Sequence, residues 1–418
     1  MRLIHTSDWH LGHRLHGRRR DEEHAAFLGW LLDQCETQSA DALIIAGDIF
    51  DTANPPASAL SLWYDFLAKA SERFADLDIV VVGGNHDSAA RIDAPKPVLF
   101  DHGIHIVGGV PRGPERAIDF DSMICPLTDK DGRVAAWVAA VPFLRPVDLP
   151  RVETGPDGDV LIEGVREVYR QSLDLARARR SAEQAVIATG HCFMRDGQVS
   201  EESERKILGG NLHALPVSVF DEDVAYVALG HLHRPQRVGG REGVRYCGSP
   251  IPLSMKEATY PHQILVVDFD GADLDSVTPV LIPRTVDVMR IPTRGSGDVD
   301  TVLSRLRELE VLAPALEPWR RPFLEVAVAT EVIDPSLRAQ IDDIMADKAA
   351  VLVRLHIGGT GGAAESMGPL PARSLAQMQE EEVFTLAWEA RFGSAPPPHQ
   401  IGLFHELIDA VRAEDPET

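Results

Sequence analysis

Apolar residues along the first two-thirds of the chain fall into short unbroken runs separated by stretches with helical spacing. The runs are Ala42-Leu43-Ile44-Ile45-Ala46, Ile79-Val80-Val81-Val82, Ala185-Val186-Ile187-Ala188-Thr189 and Val224 to Leu229, after a first stretch, Arg2 to Thr6, that also reads as a strand. Runs without polar alternation predict strands covered on both faces. Between that first stretch and Ala42, Leu28, Leu31, Leu32 and Cys35 stand at i, i+3, i+4 and i+7, which predicts an amphipathic helix over 21–38. A second helix is predicted over 57–73, and a charged one over 159–180. Shorter strands are predicted at 105–107, 122–125, 135–141, 244–247 and 264–269. Strands alternating with helices define an α/β layered domain, here residues 1–280.

The pattern restarts over residues 284–357 as a small α+β unit. Strands are expected at 285–291, 323–329 and 350–355, with a helix over 301–309. A further helix, ending at Met345, is opened by Asp334 as N-cap and Pro335 at the first position. Residues 358–371 have the Gly- and Pro-rich composition of a linker. The tail, 372–418, carries two helices, about 377–392 and 399–413. Phe384 and Trp388 are spaced i, i+4 on the first; Ile401, Phe404, Ile408 and Val411 form one stripe on the second. A helical pair after such a linker has little core of its own, so these apolar faces are expected to dock on a partner. The alternative is packing back onto the parent domain.

Five of the predicted strands lead into metal-capable residues, four of them after glycine. The segments are Asp8-Trp9-His10, Gly47-Asp48, Gly83-Gly84-Asn85-His86-Asp87, Gly190-His191 and Gly230-His231-Leu232-His233. On extended backbone Asp8 and His10, two residues apart, would point to the same side. Each segment alone has a plainer reading as a helix cap, a turn or a packed strand end. Together they place Asp8, His10, Asp48, Asn85, His86, His191, His231 and His233 where open α/β sheets carry their sites. Two carboxylates, an amide oxygen and several imidazoles suit Mn²⁺ or Fe²⁺, with Zn²⁺ or Co²⁺ as alternatives. Seven ligands exceed one ion and fit two, roughly 3.5–4 Å apart. Such a pair lowers the pKa of a bound water, holds a phosphate in line and neutralises its developing charge. His86 is not needed as a ligand and is placed to act as general acid or transition-state stabiliser.

Charge complicates a nucleic-acid substrate. The net charge is −23, so the chain gains little from general phosphate attraction, and cations, a local basic patch or a partner must supply it. One basic stretch stands out: from His10 to Arg20 there are Arg14, Arg18, Arg19 and Arg20 and no acid. It reads equally as a solvated loop or a substrate contact. Cys35, Cys125, Cys192 and Cys247 are far apart, against zinc fingers and a disulfide framework. The N-terminus has no signal-peptide core and no run reaches membrane-spanning length, so a cytoplasmic protein is expected.

Asp-x-His, Gly-Asp, Gly-Asn-His-Asp, Gly-His and Gly-His-x-His, in this order, resemble the calcineurin-like metallophosphoesterase superfamily over residues 1–270. Gly47-Asp48-Ile49-Phe50-Asp51-Thr52, the stretch from Val199 to Arg205, and Tyr246-Cys247-Gly248-Ser249-Pro250 to Ser254 resemble its SbcD branch of DNA double-strand-break repair nucleases. The resemblance implies a β-sandwich flanked by helices, a capping domain and C-terminal partner-binding helices. It implies a first ion held by Asp8, His10, Asp48 and His233, and a second by Asp48, Asn85, His191 and His231, with His86 as the catalytic histidine. It implies an SbcC-like ABC-type ATPase partner, a nuclease homodimer within a heterotetramer, and ATP-dependent 3′→5′ exonuclease and single-strand endonuclease activity on DNA in repair, recombination and replication. No phosphate-binding Gly-x-x-x-x-Gly-Lys-Ser/Thr loop occurs in the chain, so ATP dependence must come from that partner. Archaeal and eukaryotic relatives have a second functional histidine where this chain has Asp51; bacterial ones usually carry Asp. Met255-Lys256-Glu257 stands where an aromatic residue or Ser is more usual. A stand-alone phosphoesterase for a small substrate would use the same metal site. A catalytically silent scaffold is opposed by the complete ligand set.

Overall fold

The unbroken apolar runs form the middle of two sheets. The computed structural model describes residues 1–99, 103–153, 159–195, 197–198, 214–330 and 336–358, together with 384, 385, 388, 396, 397, 400, 401 and 404. In the first sheet β1 (Arg2–Thr6), β4 (Ala42–Ala46), β5 (Asp78–Val82) and β6 (Ile104–Val107) run parallel. β13 (Gln263–Asp270) and β14 (Asp273–Leu281) extend it antiparallel, in the order β14-β13-β1-β4-β5-β6. The second sheet is built on parallel β8 (Val134–Ala139), β9 (Ala185–His191), β10 (Tyr226–Gly230) and β12 (Arg241–Tyr246). β7 (Ile124–Thr128) and β11 (Gln236–Val238) lie antiparallel at its edges. Arg14–Leu15 (β2) and Arg18–Arg19 (β3) make a two-stranded hairpin.

β4 and β5 are buried along their whole length because both faces are covered. Ile44, Ala46, Val80 and Val82 face the second sheet and pack on Ala136, Val138, Ile187 and Ala228. Leu43, Ile45, Ile79 and Val81 face the other way, against Phe27 and Leu31 of α1 (Asp21–Thr37) and Trp63 and Phe66 of α2 (Ala57–Arg73). Short helices α3 (Ala89–Asp93) and α4 (Lys96–Leu99) lead into β6. α5 (Val160–Arg179) covers the second sheet through Val168, Tyr169 and Leu173. Its N-cap Asp159 accepts the Leu161 and Ile162 N–H groups at 2.9 and 3.3 Å. The layers are therefore helix, sheet, sheet, helix.

β15 (Val288–Ile291), β16 (Phe323–Ala329) and β17 (Val351–Gly358) form a third, parallel sheet. α6 (Val299–Arg307) and α7 (Leu337–Met345) cover one face, with Val302, Leu306 and Ile341 on Leu324, Val326 and Val328. The opposite face seats Val288 and Phe323 on Leu15, Met255 and Val286.

The strand expected at 122–125 begins two residues later. Ser122 Oγ donates to the Asp119 carboxylate at 2.6 Å and holds 121–123 as a turn. The hairpin, β11 and the half-exposed edge strand β14 carry no apolar run and escaped the pattern. The Asp334–Pro335 cap, the stretch from Val199 to Arg205 and residues 359–371 lie outside the described residues. In a second unit, Gly359–Thr418, Phe384, Thr385 and Trp388 are helical, as are Gln400, Ile401 and Phe404. There the rings of Phe384 and Phe404 stack with centroids 4.3 Å apart. Among the described residues no helix is long and apolar enough to cross a membrane.

Candidate metal centre

β1, β4, β5, β9 and β10 each end in the chemistry the sequence placed after them. The backbone that aims four of these side chains is not extended. β1 stops at Thr6, and Asp8 (φ 54°), His10 (φ 48°), Asp48 (φ 51°) and His231 (φ 102°) all have positive φ. Asp8 and His10 therefore converge through left-handed turns, and the alternation expected of a strand does not apply. Such conformations cost non-glycine residues of order 1–3 kcal/mol each and persist where the surroundings over-determine them. Here Asp8 N–H donates to Gly47 C=O and His10 N–H to Asp48 C=O, both at 3.0 Å.

Among the described residues three groups bring ligand atoms within 4.8 Å of one another: Asp8, His10 and His233; His10, Asp48 and His86; and Asp8, Asp48 and His191. All of these residues are buried. His10 Nε2 lies 3.4 Å and His191 Nε2 3.3 Å from the same atom, Asp48 Oδ2. Asn85 Oδ1 lies 3.0 Å from His191 Nε2 and 2.9 Å from His231 Nδ1. His231 N–H donates to Asp8 Oδ1 at 2.8 Å. All eight residues singled out in the sequence thus meet in one cluster.

A further set holds them in place. His191 Nδ1–H donates to Ala46 C=O at 2.9 Å, leaving Nε2 to face Asp48. His233 Nδ1–H donates to Glu257 Oε1 at 3.1 Å, and Glu257 Oε2 accepts the Leu253 N–H at 2.8 Å. Glu257 is fully buried. Asp51 Oδ1 lies 3.5 Å from His10 Nδ1 and 3.1 Å from His13 Nδ1. Asp87 accepts N–H groups from Ile49, Phe50 and Gly84 at 3.1, 2.9 and 2.8 Å, tying the β4 and β5 loops together. Gly47 sits at φ 91°, and a Cβ there would run into the His191 ring. Sequence reading leaves Asp51 without a role and treats Glu257 as a minor departure. Glu257 is a carboxylate hydrogen-bonded to the far nitrogen of a metal-facing histidine, an arrangement that fixes tautomer and ring orientation, while Asp51 lies beside His10 Nδ1 without a hydrogen bond.

Electrostatics follow the same geometry. Burial would push the Asp48 carboxyl up, but His191, His10 and His86 outweigh it and hold it well below the usual carboxylate range. Burial alone would lower His191; Asp48 reverses this and raises it to about 9. Burial pushes His231 down to about 3 and lowers His10, so both imidazoles are neutral and have a lone pair to give. Buried His10 Nε2 has no hydrogen-bond partner among the described residues. A buried donor set of carboxylates, an amide oxygen and imidazole nitrogens, without Lys or Arg, fits divalent cations.

Fold and centre together define a calcineurin-like phosphoesterase, a class that works through divalent metal, and residues 1–235 match that family. Residues 284–392 match the family described as type 5 capsule protein repressor C-terminal domain. The chain is 38% identical over 347 residues to the SbcD subunit of the nuclease SbcCD of Rhodobacter capsulatus, covering 82% of this chain and 84% of that protein. It is 33% identical to the Escherichia coli K12 protein of the same name, covering 79% and 78%, and 36% identical to that of Bacillus subtilis 168, covering 64% and 66%. The chain belongs to the SbcD family.

Proposed function

We propose that this chain is the nuclease subunit of a DNA-processing complex and hydrolyses phosphodiester bonds at a two-cation centre. The observation that carries the reading is Asp48: one oxygen of this buried carboxylate lies within reach of both His10 and His191. Asp8, His10, Asp48 and His233 would hold the first cation, and Asp48, Asn85, His191 and His231 the second. Mixed oxygen and nitrogen donors favour Mn²⁺. When bound, the pair supplies an activated water and neutralises charge on the phosphate.

The chain's own groups do the rest. His86 Nδ1–H donates to Asp51 C=O at 2.7 Å, which leaves Nε2 as the nitrogen that gives or takes a proton. His86 N–H donates to Asp48 Oδ1 at 2.9 Å, so the histidine is registered against the shared carboxylate. That placement suits protonation of the departing oxygen. Glu257 holds His233 in orientation, and the Asp51 carboxylate lies beside His10.

The relatives are named as subunits of SbcCD, and an SbcC-type ABC ATPase is the partner this reading assigns. Residues 372–418 are its docking segment, and the working assembly is a nuclease homodimer within a heterotetramer. With the ATPase the chain acts as an ATP-dependent 3′→5′ exonuclease on duplex DNA and an endonuclease on single strands and hairpins. The test compares the purified chain on a small chromogenic diester and on linear duplex DNA, with Mn²⁺, with and without ATPase and ATP. The chain alone should cleave the diester, and duplex digestion should need partner and ATP. His86→Ala should bind metal normally and lose turnover by at least a hundredfold, within the usual reach of general acid–base catalysis. Unchanged diester turnover in that variant removes the role given to His86, and duplex digestion indifferent to the ATPase contradicts the subunit reading.

A further inference from the structure

The third sheet keeps one face away from its own helices. Near Val288 and Phe323 that face is seated on the core, but further along the strands it opens into a cavity of about 840 Å³. The far wall is the turn Met255–Thr259. Among the described residues its charged lining is Lys256, which has a partner of its own, Arg290, Glu325, Arg354 and His356, so the lining holds two arginines to one carboxylate.

That balance is unusual in this chain. With a net charge of −23, arginines elsewhere readily find acids, as Arg2, Arg73, Arg145, Arg170 and Arg177 do. In the cavity, buried Glu325 serves two partners through one oxygen: its Oε1 is 3.5 Å from Arg290 Nε and 3.2 Å from His356 Nε2. The guanidinium of Arg354, half-buried on the neighbouring strand at the position opposite Glu325, has no hydrogen bond or ion pair among the described residues. A guanidinium fork that makes no ion pair of its own is suited to bidentate capture of a phosphate.

We propose that this cavity is a phosphate-binding site separate from the metal centre, with Arg354 and Arg290 as its anion-holding groups and Lys256 at its rim. The ligand class is a phosphate-bearing anion, either a nucleic-acid backbone or a small polyphosphate. The site also borders the metal centre's support. Lys256 lines the cavity, and the next residue, Glu257, holds His233.

Binding can be read without hydrolysis, so the test stands apart from the proposed activity. The full-length chain, stripped with EDTA, is titrated with a fluorescein-labelled single-stranded 20-mer and, separately, with inorganic pyrophosphate, at several salt concentrations. Arg354→Gln should weaken binding of at least one probe about tenfold, and Arg290→Gln/Arg354→Gln more. For the 20-mer the double variant should also flatten the log affinity against log salt slope by about 1.4, the value for two phosphate contacts on a single strand. Arg354 lies opposite Glu325 but makes no ion pair with it, so its single variant removes a guanidinium while leaving the Glu325 contacts to Arg290 and His356 in place. Loss for the 20-mer assigns a nucleic-acid backbone, and loss for pyrophosphate assigns a small polyphosphate. Unchanged affinity in both variants overturns the proposal. So does an equal loss in Arg166→Gln/Arg170→Gln on α5, or no binding of either probe by the unsubstituted chain.

Discussion

Trp9 stands between two metal-facing residues and faces the other way. Its ring is fully buried, and its indole N–H donates to Thr6 Oγ1 at 3.0 Å. The sequence marked the residues on either side and passed over the one that holds them. Glu257 was overlooked for a related reason. It lies 24 positions from His233, and only folding brings its carboxylate to 3.1 Å from Nδ1. Glu257→Ala should weaken Mn²⁺ binding 10–100-fold, and Glu257→Gln, which keeps an acceptor, should recover part of that loss. Calorimetric titration reads both, and wild-type affinity in the alanine variant would show that His233 needs no support. His5 yields a pH prediction. It is fully buried, and burial pushes it down to about 3. The folded chain keeps it neutral while the unfolded chain takes up a proton below about pH 6.5. Its contribution is therefore complete above about pH 6.5 and fades as pH falls towards 3. Between pH 7 and pH 5 the wild type should lose about 2 kcal/mol more than His5→Gln in urea unfolding. Parallel losses in the two proteins would contradict this.

Elements carry the next level. The parallel strands were legible because burial on both faces writes itself as an unbroken apolar run, as in Ala42–Ala46. The turns after them were not. Positive φ at Asp8, His10 and Asp48 is imposed by long-range packing and hydrogen bonds, and no local spacing announces it. Trp9 is the means for the first of these turns. Its ring meets Phe27 of α1 and Trp63 and Phe66 of α2, with centroids 5.8, 6.0 and 5.1 Å away. His24 of α1 adds an N–H to the Trp9 carbonyl at 2.9 Å. Trp9→Ala should cost ~3–5 kcal/mol, the usual loss for emptying an aromatic site. Because the same residue fixes the loop between Asp8 and His10, metal affinity should fall with it. Denaturant unfolding and metal titration on the same variant check both. A destabilised protein with intact metal affinity would separate the two functions.

At the scale of the whole molecule, two stacked sheets bring strand ends from residues 8 to 233 to one cluster. The order of the motifs was readable from sequence, and so was their convergence. Which carboxylate sits at the centre came only from resemblance, because that depends on how the two sheets face each other. The tail is a separate question. Deleting residues 372–418 should leave Mn²⁺-dependent diester cleavage intact and abolish co-purification with the ATPase; a complex that survives the deletion would place the docking surface elsewhere. The most direct test of the account is anomalous scattering from crystals of the full chain soaked in Mn²⁺. Two peaks roughly 3.5–4 Å apart are predicted, with the Asp48 carboxylate between them, His10 and His233 on one ion, and His191 and His231 on the other. One peak, or two that do not share Asp48, would contradict it.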